Sequence, residues 1–242
     1  MSIIRLIILF SFVFFFFSCS EKSEIFMVAA SMNNLMTEIQ SENPQFNDIP
    51  ISYGGSISIV RRIENNNRGV GAVLLSSEES FDILDKLGYL NNELSYTFAS
   101  NSLVLIGKTN KKIKTTKDIE SINKKIVIAD PKIAPAGVYS LQTLGSLNQE
   151  FLDENVIFAG DVSSVVGSVK NNINFVGIVY KTDAISHNLQ VLFEFPTNSH
   201  DKILYKLGVL KNNSGNSILK YVKFLKSSFV KQKLVDHGYL VE

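Results

Sequence analysis

The sequence predicts an α/β protein whose sheets are mostly parallel. Short apolar runs fit for buried strands alternate with amphipathic helical stretches from Ile25 to the end of the chain. Several of these helices begin at small residues that directly follow a strand, as in "VAASMNNLMTEI" (28–39) and "ISYGGSISIVRRI" (51–63). With 242 residues, 45% of them apolar, the chain is long enough to bury one large core or the cores of two smaller lobes.

"IFMVAA" (25–30) reads as a buried strand, and Met32, Leu35, Met36 and Ile39 then recur on one helical face. "IPISY" (49–53) is a second strand, followed by a helix with Ile57, Val60 and Ile63. "GAVLLSS" (71–77) is a strand and "SFDILDKLGYL" (80–90) a helix closed by Gly88. Further strands are expected at 101–108, 125–131, 155–161, 174–180 and 203–211, with helices carrying Val138, Leu141 and Leu144 and then Val165, Val166 and Val169. Residues 215–240 hold the terminal helices.

The first residues are of another kind. One arginine precedes an unbroken apolar run from Leu6 to Phe17, followed by Ser18 and Cys19. About a dozen apolar residues fall short of the ~20 that span a bilayer and suit a signal-peptide core. The expectation is a signal peptide at 1–18, export of the body, and a polar tether at 19–24. Cys19 is the chain's sole cysteine, so the body has no disulfide, cysteine–metal site or cysteine nucleophile.

A net charge of +1 with scattered lysines argues against nucleic acid as a partner. "KTNKKIKTTK" (108–117) is the one basic cluster and reads as a solvated loop. His187, His200 and His237 lack the spacing of a metal site. No Gly-x-Ser-x-Gly elbow suggests a hydrolase.

In open α/β sheets ligands bind beyond the carboxyl ends of the strands. Four junctions qualify here: Ala30-Ser31, Gly54-Gly55-Ser56, Ala134-Pro135-Ala136-Gly137 and Gly160-Asp161-Val162. A helix start offers unpaired N–H groups and a partial positive charge, and small residues let an anion approach them. The plainer role of a serine there is to cap the helix. Asp130, Asp161 and Asp183 are expected to cap helices or brace turns; an inward-pointing Asp161 would favour phosphate.

At these residues the chain resembles the molybdate-binding proteins of bacterial ABC importers, over nearly all of 25–242. "VAASMNNLMTEI" is similar to the family's Ala-Ala-Ser-Leu start and "YGGSISIVRRIENN" to its Gly-Ser helix motif. "IADPKIAPAGVYSLQTL" and "GIVYKTDA" resemble its Asp-Pro…Pro-Ala-Gly and Gly-Ile-Val-Tyr signatures. Ala72 departs from the pattern, standing where the family commonly has aspartate.

The resemblance implies a two-lobed periplasmic-binding-protein fold of type II with the ligand between the lobes. Lobe 1 would hold 25–99 and 211–242, and lobe 2 would hold 100–210 with the crossover strands. Carried over by motif, the oxyanion ligands fall on Ser31, Ser56, Ala136, Val162 and Tyr180. The implied ligand is molybdate or tungstate, its metal held as the oxyanion without direct protein ligands. No cofactor is implied and no enzymatic activity. The implied partners are a permease and its ATPase, with the chain itself a monomer. Ser18-Cys19 resembles a lipobox, which implies acylation of Cys19 and a place in the periplasm or on the outer face of the membrane. A plain signal peptide followed by an incidental cysteine would leave the same residues. The donor-rich junctions would also suit a sulfate or phosphate binder, or an oxyanion sensor or surface lipoprotein without transport. An enzyme on the same fold, the tetrapyrrole-building deaminase, would need a cofactor-carrying cysteine in the body, and there is none.

Overall fold

The computed structural model describes residues 24–211 and 215–241. The expected signal segment, Cys19 and all of the tether but Glu24 lie outside the described residues.

The strands are β1 (Ile25–Ala29), β2 (Ile51–Gly54), β3 (Val70–Leu75), β4 (Leu90–Asn101) and β5 (Leu103–Gly107), then β6 (Lys125–Ala129), β7 (Val156–Ala159), β8 (Phe175–Tyr180), β9 (Val191–Glu194) and β10 (Ile203–Leu210). The helices are α1 (Asn33–Ser41), α2 (Ser56–Asn65), α3 (Glu78–Lys86), α4 (Pro135–Leu144), α5 (Gln149–Asn155), α6 (Val162–Asn171), α7 (Lys181–Ser186), α8 (Asn216–Phe224) and α9 (Ser228–Asp236).

Two five-stranded sheets result, ordered β2-β1-β3-β10-β4 and β7-β6-β8-β5-β9. Each is mixed and built alike. Three parallel strands stand together, β2, β1 and β3 in one sheet and β7, β6 and β8 in the other, and two antiparallel strands complete each sheet. Parallel pairing puts the carboxyl ends in one row: Ala29 stands beside Gly54, and Ala129 beside Ala159.

The parallel strands are continuous apolar runs because helices cover both faces. Phe26 and Val28 of β1 face a core shared with Tyr221 and Leu234 of the terminal helices, while Met27 faces α2 and α3 with Ile59, Ile63 and Leu84. β5 divides in the same way, with Leu103 and Leu105 on one side and Val104 and Ile106 on the other. Gly177 of β8 is required by packing: a Cβ there would stand 2.7 Å from Val165 and 2.8 Å from Val169 of α6.

The chain passes between sheets at Asn101–Leu103 and returns between Glu194 and Ile203. The strand at 203–210, expected with lobe 2, hydrogen-bonds between β3 and β4 in the first sheet. Its alternate residues Tyr205, Leu207 and Val209 enter the core with Phe26 and Tyr221, and Lys206 on the other side pairs with Glu78 of α3 at 2.6 Å. β4 is not among the strands that the sequence predicts.

Candidate binding cleft

The five residues singled out by motif all follow parallel strands. Ser31 lies in a 3-10 turn, Ala30–Met32, between β1 and α1, and Ser56 opens α2 directly after β2. Ala136 is the second residue of α4 and Val162 the first of α6; Tyr180 ends β8. Because β2 neighbours β1, and β6 lies between β7 and β8, the two serines stand at the carboxyl end of one sheet and the other three residues at that of the other.

A cavity of about 730 Å³ lies between the walls. Ser31, Ser76 and Ser77 line it from the first sheet's side and Pro135, Tyr139 and Tyr180 from the second's. Ser56 reaches it through Ser76: its Oγ accepts the Ser76 backbone N–H at 3.1 Å and lies 3.3 Å from the Ser76 hydroxyl. Ala136 is buried just behind Pro135. Val162 is outside the cavity lining and packs with Ala134 and Tyr180 against the core beneath α4 and α6.

Neither serine caps its helix. α1 begins after Met32 and α2 after Gly55, both without a side-chain cap. Ser77 shows the contrast, since its Oγ accepts the Ser80 N–H at 3.1 Å and caps α3. The hydroxyls of Ser31 and Ser56 are thus not used as helix caps.

On the opposite wall the donors belong to the backbone. Pro135 has no N–H, so the Ala136 N–H is the first that α4 can present. Gly137 fixes its place: a Cβ there would come within 2.2 Å of the Ala129 carbonyl oxygen at the end of β6. α6 starts from Asp161, whose carboxylate accepts the Ser164 N–H and hydroxyl, both at 2.8 Å. These bonds hold Asp161 below its ordinary carboxylate range and keep it on its own helix. Asp130 braces a turn by accepting the Lys132 N–H at 2.9 Å. Tyr180 is raised well above its ordinary value, by burial first and then by nearby Tyr205, Tyr139 and Asp183, so its phenol stays a donor.

The lining is not purely neutral. Glu78, Glu79, Asp183, Asp201 and Lys202 also reach the cavity. Asp201 accepts from Gln142 at 2.7 Å, and Glu78 is paired with Lys206. Asp183 braces α7 through its backbone, accepting the His187 N–H at 3.1 Å. Its carboxyl lines this cavity and a second one of about 640 Å³ behind Ser31. Burial pushes it up to about 6, against a smaller opposing pull from His187.

The ligand set carried over by motif did not include Asn101, Thr182 or Tyr205, which hydrogen-bond to one another near the cleft, although Thr182 lies within "GIVYKTDA". Asn101 donates to Thr182 Oγ1 at 3.0 Å and to the Tyr205 hydroxyl at 3.4 Å. A signal existed for Tyr205: the alternation Ile203, Tyr205, Leu207, Val209 turns its ring inward, where a phenol needs a partner. Among the described residues no group of three histidine, cysteine or carboxylate side chains could hold a metal ion. Nor is any helix there long and apolar enough to cross a membrane.

Two mixed α/β sheets with their parallel carboxyl ends facing across a donor-lined cleft define a solute-binding protein. Residues 26–240 match the family described as bacterial extracellular solute-binding protein, and the chain belongs to that family. Its sequence is similar to the molybdate-binding protein ModA of Haemophilus influenzae, with 26% identity over 238 residues, covering 93% of this chain and 92% of that protein. It is also similar to YvgL of Bacillus subtilis, assigned as an ABC-transporter substrate-binding lipoprotein, with 27% identity covering 88% of this chain and 85% of the relative. Among solved structures it resembles a Clostridium difficile substrate-binding domain assigned to a molybdenum ABC transporter. That likeness has a TM-score of 0.82 at 25% identity and covers 91% of this chain and 99% of the other.

Proposed function

We propose that this protein captures molybdate or tungstate in the cleft and delivers it to an ABC permease and its ATPase. In this reading Ser31 and Ser56 donate hydroxyls, Ala136 and Val162 donate backbone N–H groups, and Tyr180 donates its phenol O–H. The protein is exported, anchored through an acylated Cys19, acts as a monomer, and needs neither a cofactor nor a reaction.

The observation that carries the reading is the pair of serines that open helices without capping them. The Ser56 Oγ accepts the Ser76 N–H and stands 3.3 Å from the Ser76 hydroxyl, which lines the cleft, and in this reading its proton turns to the anion. Hydrogen bonds to a charged group contribute ~1.5–3 kcal/mol each, and five would give a gross ~8–15 kcal/mol. A micromolar complex needs ~8 kcal/mol, which the upper part of that range leaves after several kcal/mol are lost on immobilisation. Neutral donors are sufficient. The cavity of about 730 Å³ is of the size that holds a drug-like molecule, far larger than one tetrahedral anion. An anion touching both walls therefore favours a narrower cleft, and that closed form is what the permease would recognise.

Asp161 caps its own helix and does not line the cavity, so in this reading it is not the acceptor a protonated phosphate needs. Asp183 supports the second reading, a phosphate site, because a carboxylate in the wall can take the proton that phosphate carries. Isothermal calorimetry with molybdate, tungstate, sulfate and phosphate separates the two. Tight molybdate and tungstate binding is expected; tight phosphate binding with none of molybdate overturns the assignment.

A further inference from the structure

Four carboxylates, from Glu78, Glu79, Asp183 and Asp201, line the cleft. Asp201 does so from the crossover that returns the chain to the first sheet, just before β10, and its neighbour Lys202 lines the cavity too. The Asp201 Oδ2 accepts from Gln142 Nε2 at 2.7 Å, and the Asp201 backbone N–H donates to Gln142 Oε1 at 2.9 Å. A backbone N–H can only donate, so the second bond fixes which way round the Gln142 amide lies and sets its NH2 group on the carboxylate. Gln142 itself is outside the cavity lining and belongs to α4, the helix whose first turn carries Ala136. The next residue, Thr143, repeats the attachment. Its Oγ1 lies 3.1 Å from the Ser199 hydroxyl, which itself donates to the Pro196 carbonyl oxygen, so Thr143 is the donor. The crossover between β9 and β10 is thus fastened to α4 at two successive residues.

We propose that Gln142 is a positioning residue for oxyanion binding: its amide clasps Asp201 and holds that carboxylate toward α4, out of the anion's place. The inference rests on the oxyanion reading above. An aspartate on an exposed connection samples several rotamers, and some of them would carry its oxygens further into the cavity. Two bonds to one amide remove that freedom. Repulsion between a doubly charged anion and a carboxylate falls with distance and with the water and salt between them, so turning the carboxylate aside weakens it. Glu78 is restrained by other means, since Lys206 pairs with it at 2.6 Å and offsets its charge. Gln142 is uncharged, so Asp201 keeps its charge and only its direction is fixed. An acidic residue can then stand in the wall of an anion site.

The test is a double-mutant cycle on the purified full chain, titrated with sodium molybdate by calorimetry at about 0.02 M and at about 0.5 M sodium chloride. Both side chains are exposed, so neither change empties the core. The wild type is measured first: if it binds neither molybdate nor tungstate, the functional reading fails, whatever Gln142 does. If it binds, Gln142→Leu, which keeps the bulk and removes the amide, should weaken molybdate about fivefold at low salt and less than about twofold at high salt. Asp201→Asn, which keeps an acceptor for Gln142 and loses the charge, should bind at least as tightly as the wild type. In an Asp201→Asn background Gln142→Leu should change affinity less than about twofold, since the amide acts through that carboxylate. An unchanged affinity for Gln142→Leu at low salt overturns the proposal. So does an equal loss in both backgrounds, or a loss indifferent to salt, either of which would make Gln142 a prop of α4. Weaker binding by Asp201→Asn alone overturns it too, because the carboxylate would then be helping to hold the anion.

Discussion

In the site proposed above, the two walls of the cleft would hold an anion with different chemistry. On the first sheet's side the donors are serine hydroxyls on short connections after β1 and β2. On the second sheet's side they are mostly backbone groups at the starts of α4 and α6, with the phenol of Tyr180 between them. A hydroxyl that caps no helix can be removed at the cost of one local bond, for Ser56 the one it accepts from the Ser76 N–H. A backbone N–H cannot be removed at all, only displaced by moving its helix. One wall is therefore tuned by substitution, and the other is as rigid as the packing of its helices.

The sharpest way to break this contrast is Gly137→Ala. Its Cβ would stand 2.2 Å from the Ala129 carbonyl oxygen, so α4 must shift or its strand must give. A stability loss of roughly 3 kcal/mol is expected, the upper part of the range for overpacking, together with loss of molybdate binding. Denaturant unfolding and calorimetry measure the two effects. Retention of both would mean that α4 does not define the wall.

On the other side, Ser31→Ala and Ser56→Ala should each weaken molybdate binding by ~1–3 kcal/mol, the loss of one donor to a charged group. Melting temperature should be nearly unchanged for Ser31→Ala and slightly lower for Ser56→Ala, which loses the bond to the Ser76 N–H although neither change removes a helix cap. The reverse pattern would return both to purely structural roles.

Asp183 interrupts the donor wall, and its pH dependence exposes the interruption. In the folded protein its pKa is raised from 3.8 to about 6, so between these values the native state binds more proton than the unfolded chain. Stability therefore falls as pH rises from about 4 to about 6, and the full penalty persists above that range. The displacement corresponds to at most ~3 kcal/mol, reduced to roughly 1–2 kcal/mol by the part of the side chain still in water. Asp183→Asn should raise stability at pH 7 by that amount and have no effect near pH 3, followed by urea unfolding across pH. Molybdate affinity in the wild type should also decline as pH rises through about 6, since the ionised carboxylate repels the anion.

The smallest expected change is Ser77→Ala, which removes a cap from α3 and should lower stability by ~1 kcal/mol. Molybdate affinity should stay the same even though Ser77 lines the cavity. Among the cleft serines it is the control that separates lining from binding.

Much of the architecture was legible because burial on both faces leaves a strong mark. The runs that became β1, β3, β5, β6 and β8 are nearly all apolar, and each was placed within a few residues. β4 was not legible, since residues 92–94 in its middle are exposed and carry no apolar alternation. β9 was missed for a related reason: it is a four-residue edge strand with both ends exposed. The sequence reads 203–210 as a crossover strand but does not say that it pairs with β3 and β4, because a strand's sequence records that it is buried and not which sheet buries it.

By itself the sequence determined the alternation of strands and helices, the small residues at their junctions, and the motif positions Ser31, Ser56, Ala136, Val162 and Tyr180. These are local matters of periodicity, backbone room and residue type. Tertiary structure alone decided that the junctions come together at one cleft, that the two serines are free of capping, and that Asp183 is half-buried beside Ser31. It also joined Asn101, Thr182 and Tyr205, which are up to 104 positions apart, into one polar cluster. Burial, hydrogen-bond partners and proton affinity depend on neighbours contributed by distant segments, and only the folded chain brings those neighbours together.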